Sequence, residues 1–244
     1  MSRRRLFASP LPAAKVEMTL DEESRHHAQV LRLVAGDELR LFDAAGREAD
    51  ATVLRCDRRA LVCAVEAASE QPLPRERLHL AVCVPKAAKL ELIVRMATEL
   101  GVRSLQLVQS ERAVPKWSGD DAKFERYRRI ALEACAQSEQ AYAPELSAPL
   151  PLRAALMSEP FTRAAYKCAF VERSHVTQLP RVFAGGARDV WAIVGPEGGF
   201  APAEVQVIAE HGVDVITLGR AILRVETACV VACALLLDRL RAQP

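Results

Sequence analysis

The stretch "VWAIVGPEGGFAPAEVQVIAEH", residues 190–211, reads as a buried strand, a bare loop and an amphipathic helix. "VWAIV" is a continuous apolar run of the kind found in strands covered on both faces. "PAEVQVIAEH" carries Pro202 in its first turn and is followed by Gly212, the usual pairing of residues at the two ends of a helix. Between them lies "GPEGGF", Gly195 to Phe200, with three glycines, a proline and a single glutamate. Backbone that bare suits either a ligand pressed against main chain or a tight turn. In parallel α/β sheets ligands bind beyond the carboxyl ends of the strands, and the loop falls in that place. Its spacing is neither the G-x-G-x-x-G fingerprint nor the lysine-ended phosphate loop, so neither a dinucleotide nor a nucleoside triphosphate is indicated.

The same rhythm extends on both sides. "LHLAVCV" is a buried-type strand, and "KLELIVRMATEL" is a helix stopped by Gly101. "SLQLV", "AAYKCAFVE" and "VDVITL" read as further strands, and "DDAKFERYRRIALEACAQSEQ" and "VETACVVACALLLDRLR" as helices. Strands alternating with helices predict an α/β domain over 78–244, with a parallel sheet covered on both faces. Residues 1–70 differ. "KVEMTL", "ELRLF", "ADATVLR" and "LVCAVEA" are short strands, and the helix "DEESRHHAQVLRLV" begins at a capping-box spacing, Thr19 and Glu22, and ends at Gly36-Asp37. That pattern predicts a small β-barrel unit. "SEQPLPRER", Ser69–Arg77, has two prolines and several charges and gives the linker, 71–77.

Composition narrows the class. The chain has 244 residues, 50% hydrophobic and 26% charged, as expected of a soluble globular protein. A formal charge of +2 does not by itself argue for nucleic acid, so any such case rests on where basic residues cluster. The seven cysteines form no C-x-x-C pair, and Cys229 and Cys233 have no histidine nearby, which points to core residues in a reducing compartment and to no metal site. The basic start "MSRRRLFASP" lacks the apolar stretch of a secretory signal. The longest apolar run, Ala228–Leu237, is about half the ~20 residues of a membrane span, so no membrane is expected and the cytoplasm is.

The next strand ends as the first one did. "VITL" runs into "GRAILRVETA", Gly219 to Ala228, which adds Arg224 and Glu226 before the last helix. Taken alone, these two residues could be a helix cap and its ion-pair partner. Taken with "VGPEGGF", the motif "LGRAILRVETA" closely resembles the signature of the RsmE family, and "RLF", "HAQVLRLVAGD", "ATELGV" and "SERAV" extend the likeness over nearly the whole chain. The resemblance implies a SPOUT-class, S-adenosylmethionine-dependent methyltransferase acting on N3 of a uridine in 16S ribosomal RNA, within the small ribosomal subunit. It further implies an N-terminal PUA-like barrel that contacts RNA, a C-terminal trefoil knot and a homodimer. True knots are all but absent from protein folds, so this one is expected on the resemblance alone.

The family match places the cofactor among Gly195, Pro196, Glu197, Gly198, Gly199, Leu218, Gly219, Ile222, Leu223 and Thr227, joined by Val171 and Glu172. Arg224 and Glu226 become the candidates beside the reacting base, one to stabilise charge on the uracil oxygens and the other to take the N3 proton or position Arg224. For RNA contact, the basic cluster Arg3, Arg4 and Arg5 is followed by His26 and Arg32, then by Lys86, Lys89 and Arg112 near strand ends; each alone is more often a solvated charge. The chain departs from the family at Met96, Ala136, Gln140 and Ala221, where basic or polar residues are usual. Those losses leave open a relative acting on another RNA position. They also leave open an RNA-binding assembly protein without catalysis.

Overall fold

A computed structural model describes residues 4–113, 117, 121–172, 179–180, 183, 186 and 188–242. The chain divides into two compact units, Met1–Leu73 with Leu132–Ala143, and Pro74–Ala131 with Pro144–Pro244.

The first unit holds β1 (Arg4–Phe7), β2 (Val16–Leu20), α1 (Glu22–Val30), β3 (Glu38–Phe42), β4 (Arg47–Cys56), β5 (Leu61–Val65) and β6 (Ser69–Glu70). They form one sheet in the order β1-β3-β4-β5-β2, with β6 on β4; β1 and β3 are parallel and the other pairs antiparallel. Along β4 the side chains alternate, Ala49, Ala51 and Val53 packing with Leu6, Leu39, Leu41, Leu61 and Val65, as expected of a half-buried strand. The α1 cap is Asp21, not Thr19: its carboxylate accepts from the Ser24 N–H at 2.7 Å. The helix also stops earlier than its apolar pattern. Arg32 takes a left-handed φ of 56°, and the Leu33 N–H turns back to the Ala28 carbonyl at 2.9 Å. Residues 132–143 join this unit through Gly46 N–H to Ala141 O (3.0 Å), Ala143 N–H to Ala44 O (2.9 Å) and Tyr142 OH to Gln71 O (2.7 Å).

The second unit is an α/β layer. Its strands are β7 (Arg77–Cys83), β8 (Ser104–Gln109), β9 (Glu145–Pro151), β10 (Tyr166–Phe170), β11 (Asp189–Val194) and β12 (Asp214–Ile216), all parallel, in the order β12-β10-β11-β7-β8-β9. Its helices are α2 (Ala87–Leu100), α3 (Asp121–Ser138, grouped with the first unit from Leu132), α4 (Leu152–Leu156), α5 (Glu159–Arg163), α6 (Pro202–Glu210) and α7 (Val225–Arg241). One face of the sheet, with Leu78, Leu80, Val82, Val190 and Ala192, packs on Leu90 and Ile93 of α2 and on Cys229 and Leu236 of α7. The other, with Ala81, Ala169, Trp191 and Ile193, packs on Leu156, Phe161 and Ile208. Burial on both faces is why these strands lack polar alternation. Gly101 ends α2 at φ 83°, as its position after the last apolar turn predicts. Strand β9 and helices α4 and α5 are not apparent in the sequence: Pro149 and Pro151 hide β9, which tolerates them because it is an edge strand.

Most cysteines are core residues. Burial pushes the Cys63 thiol up to about 11 and those of Cys83, Cys135 and Cys233 up to about 12, so they stay protonated and inert near neutrality. Among the described residues, no cluster of His, Cys, Asp and Glu could hold a metal, and no helix is long and apolar enough to cross a membrane.

At the amino ends of the strands, His79 stacks on Trp191 with ring centroids 4.9 Å apart. Its Nδ1 lies 2.6 Å from Ser104 Oγ, and its Nε2 lies 3.4 Å from Asp189. Burial lowers the imidazole pKa; Asp189 and Glu145 oppose the shift, whereas Arg77 and Arg103 add to it. With the folded value below the unfolded one of about 6.5, the unfolded chain binds more protons as pH falls. This contribution to stability is therefore full above that value and is lost as pH drops through it. The thermal midpoint is expected to fall between pH 7.5 and 5.5, and His79→Gln to flatten that slope; identical slopes in the two proteins would refute the assignment.

Candidate active site

The carboxyl ends of β10, β11 and β12 open into a cleft that encloses about 570 Å³ of space, part of it open to solvent. Its walls are largely apolar, from Phe170, Val194, Phe200, Leu218, Leu223 and Val225, with Glu172 and Thr217 among the polar groups. Two bare loops form its rim. The first leaves β11 and turns at Gly199, whose N–H bonds the Pro196 carbonyl at 2.9 Å and whose φ of 67° favours glycine. Gly195 is bare for another reason: a Cβ there would come within 2.9 Å of the Phe200 ring. The second loop leaves β12, bends at Gly219 (φ 111°) and enters α7.

Of the residues expected at the cofactor, Val171, Glu172, Gly195, Pro196, Glu197, Gly199, Leu218, Gly219 and Leu223 line this cleft. Gly198, Ile222 and Thr227 do not. The Gly198 carbonyl accepts from Arg112 Nη1 at 3.2 Å, Ile222 is 56% exposed, and Thr227 lies on the open side of α7. Sequence reading passed over Phe170, Val194, Phe200, Thr217, Ala221, Val225 and Ala228; only their positions next to the strand ends and bare loops could have marked them.

Arg224 is the N-cap residue of α7, makes no side-chain cap bond, and is exposed. Glu226, in the first turn of α7, does not pair with it among the described residues. Its Oε2 lies 3.7 Å from Lys89 Nζ, buried and without a hydrogen-bond partner. Lys89 Nζ also bonds Glu197 Oε1 at 3.0 Å. Burial acts to raise the Glu197 carboxyl, but the Lys89 hydrogen bond and the charges of Lys89 and Lys86 outweigh it and hold the pKa below the ordinary value. Glu204 completes the loop's support: it accepts the Ala201 N–H and, from the turn after β8, the Glu111 N–H, both at 2.9 Å.

The residues expected at RNA separate into distinct groups. Arg3 lies outside the described residues. Arg5 is corrected: its side chain is 3% exposed and paired with Glu48, so it cannot reach a phosphate. Arg4 bonds Asp37 at 2.9 Å and stays half exposed. His26, Arg32 and Lys86 are exposed, Arg112 is exposed but bonded to Gly198, and Lys89 is engaged with Glu197.

Residues 71–237 match the model of an RNA methyltransferase domain, and 20–66 that of an RNA methyltransferase PUA domain. A ribosomal RNA small subunit methyltransferase E of Synechocystis is 33% identical over 244 residues, covering 94% of this chain and 76% of the relative. This chain belongs to the ribosomal RNA small subunit methyltransferase E family. Two solved structures share the fold. A methyltransferase of Legionella pneumophila, in complex with S-adenosylmethionine, superposes at TM-score 0.88 with 24% identity over 98% of each chain. The methyltransferase E of Neisseria gonorrhoeae, bound to the same cofactor, superposes at 0.85, also at 24% identity, covering 97% of this chain and 98% of its own. Of the four positions expected to depart from the family pattern, Ala221 is on the cleft wall, whereas Met96, Ala136 and Gln140 are half-buried away from it.

Proposed function

We propose that the chain transfers the methyl group of S-adenosylmethionine to N3 of a uridine in the 16S ribosomal RNA of the small subunit. The observation that carries this reading is the convergence of the "GPEGGF" and "ILRVETA" loops, remote in sequence, on one apolar cleft. The residues fit the cofactor: the cleft is walled largely by apolar side chains suited to a nucleoside, and nothing lies within 4 Å of the side-chain position at Gly199. Bound there, the cofactor supplies a methyl group already activated by its sulfonium centre.

The chain's own residues do the remaining work. The strand-end loops at 171–172, 195–199 and 217–223 hold the adenosyl group and exclude water from it. Holding two reactants in line contributes roughly 7–11 kcal/mol, the larger part of the acceleration. The Glu226 carboxylate, in a side chain that keeps 15% of its surface exposed, accepts the N3 proton. The exposed Arg224 guanidinium steadies negative charge on the uracil oxygens. The first unit acts as a PUA-like barrel that meets RNA through His26 and Arg32, and Lys86 is a separate candidate contact on the second unit.

The finer fold features belong to the same reading. From the edge strand β12 the chain returns through α7 to pack on α2, β7 and β11 in the middle of the sheet, which supports a knotted end. Leu92 on α2 and Leu235 on α7, 40% and 39% exposed on two helices that pack together, are apolar side chains that a homodimer would cover. A cytoplasmic protein acting on ribosomes follows.

A second reading, transfer to a different RNA position, is supported by Ala221 on the cleft wall, at the place where the family resemblance leads one to expect arginine. The test is methyl transfer from labelled cofactor to small subunits lacking their native uridine methylation, followed by nucleoside analysis. Label in 3-methyluridine is expected. Label in another nucleoside would replace the first reading with the second, and cofactor binding without transfer to any RNA would overturn both.

A further inference from the structure

Lys89 occupies an unfavourable place. It lies in the first turn of α2, a turn that holds no acidic residue and follows Lys86 at the N-cap, although the positive end of a helix dipole disfavours a cation. A residue that breaks a local rule is held there by a gain elsewhere. The gain here is two carboxylates from two other elements. Glu197, in the loop after β11, accepts from Lys89 Nζ at 3.0 Å, and Glu226, in the first turn of α7, lies 3.7 Å away on the same nitrogen. Without the ammonium between them, two acids would face each other beside the cleft, one with its Oε2 buried and unbonded.

We propose that Lys89 is a positioning residue: it latches the Gly195–Gly199 loop to the start of α7 and so holds together the two halves of the cleft. The inference rests on the proposed transfer reaction for its functional consequence, but the latch itself exists in the protein before any ligand binds. Neither carboxylate can substitute for it. Arg112 grips the same loop from the turn after β8, but through the Gly198 carbonyl and not through a charge shared with α7. Arg224 is a second cation near the group; it lies close enough to lower the Lys89 pKa, which the Glu197 hydrogen bond raises. Lys89 therefore remains charged at neutral pH and cannot be replaced by a proton.

The test uses the full chain with Lys89→Met and Lys89→Arg. In the protein without cofactor, hydrogen exchange of residues 195–200 is expected to speed up about three- to tenfold in Lys89→Met, the scale of a partly exposed, charge-assisted bond. Exchange in the β7 and β8 strands should stay unchanged. Lys89→Arg should restore most of the protection. In transfer assays Lys89→Met should raise the KM for S-adenosylmethionine and lower kcat together, with Lys89→Arg recovering both. Wild-type exchange at 195–200 in Lys89→Met would overturn the latch whatever the activity. Absence of transfer by the wild-type chain would sink the proposed reaction and leave the exchange result to decide the latch.

Discussion

Replacing Arg5 by alanine is expected to cost about 3–5 kcal/mol of stability, the loss typical when one partner of a buried ion pair is removed. The Arg5 and Glu48 side chains are 3% and 10% exposed and directly bonded. The same guanidinium donates to the Cys135 carbonyl at 3.2 Å and the Gln140 carbonyl at 3.3 Å, and it lies 4.6 Å over the Phe42 ring. Burial pulls the Arg5 pKa down, and Glu48 opposes that most strongly. Alanine would leave Glu48 buried with only Arg40, 3.6 Å away, to neutralise it, and would free two carbonyls of the segment that joins 132–143 to the first unit. Lysine should not rescue, because one ammonium cannot reproduce a planar fork with three acceptors and a ring below it. The double change Arg5→Met with Glu48→Met should lose less than Arg5→Ala alone, since it removes the stranded charge. Urea unfolding of the three variants decides the matter; a loss below about 1 kcal/mol in Arg5→Ala, the level of a surface pair, would overturn it.

Arg5 also marks the limit of what the sequence discloses. In "RRRLF" it looks identical to its neighbours, and a cluster of arginines reads as a nucleic-acid contact. What separates Arg5 from Arg4 is what covers it: Arg5 shares a sheet face with Arg40, Phe42 and Glu48, brought together by the β1–β3–β4 pairing, and the carbonyls of Cys135 and Gln140, some 130 residues away, close over it. Local signals behaved differently. The buried strands, the Gly101 stop and the closing helix Val225–Arg241 were legible because each depends on a few adjacent residues. So was the bare loop after β11, since missing side chains are visible in any sequence. Its electrostatics were not: Lys89 and Glu197 are 108 residues apart, and Lys89 on its own looks like one more surface cation. The α1 cap failed for a smaller reason. Thr19 and Asp21 both precede the helix with suitable side chains, and the backbone, still extended in β2 at Thr19, gave the place to Asp21.

Glu226→Gln is expected to lower single-turnover methyl transfer by about 10²–10⁴-fold, the range of a lost general base. Glutamine keeps the shape of the side chain but cannot take a proton; it also removes one of the two charges on Lys89, so Lys89→Met, which disturbs the same contact but leaves the carboxylate, serves as the control and should lose much less. Arg224→Ala should also lower transfer, through lost stabilisation of charge on the uracil oxygens, at roughly 10²-fold or more. Because Arg224 is exposed and unbonded among the described residues, its loss should leave the thermal midpoint unchanged, which separates its role from that of Arg5. If Glu226 takes the proton while Arg224 steadies the resulting charge, the two act in one step. The double variant should then lose much less than the product of the single losses. Full additivity would instead assign them to separate steps. A Glu226→Gln enzyme with the wild-type rate would return Glu226 to a purely structural place beside Lys89, and N3 would have to lose its proton to another group.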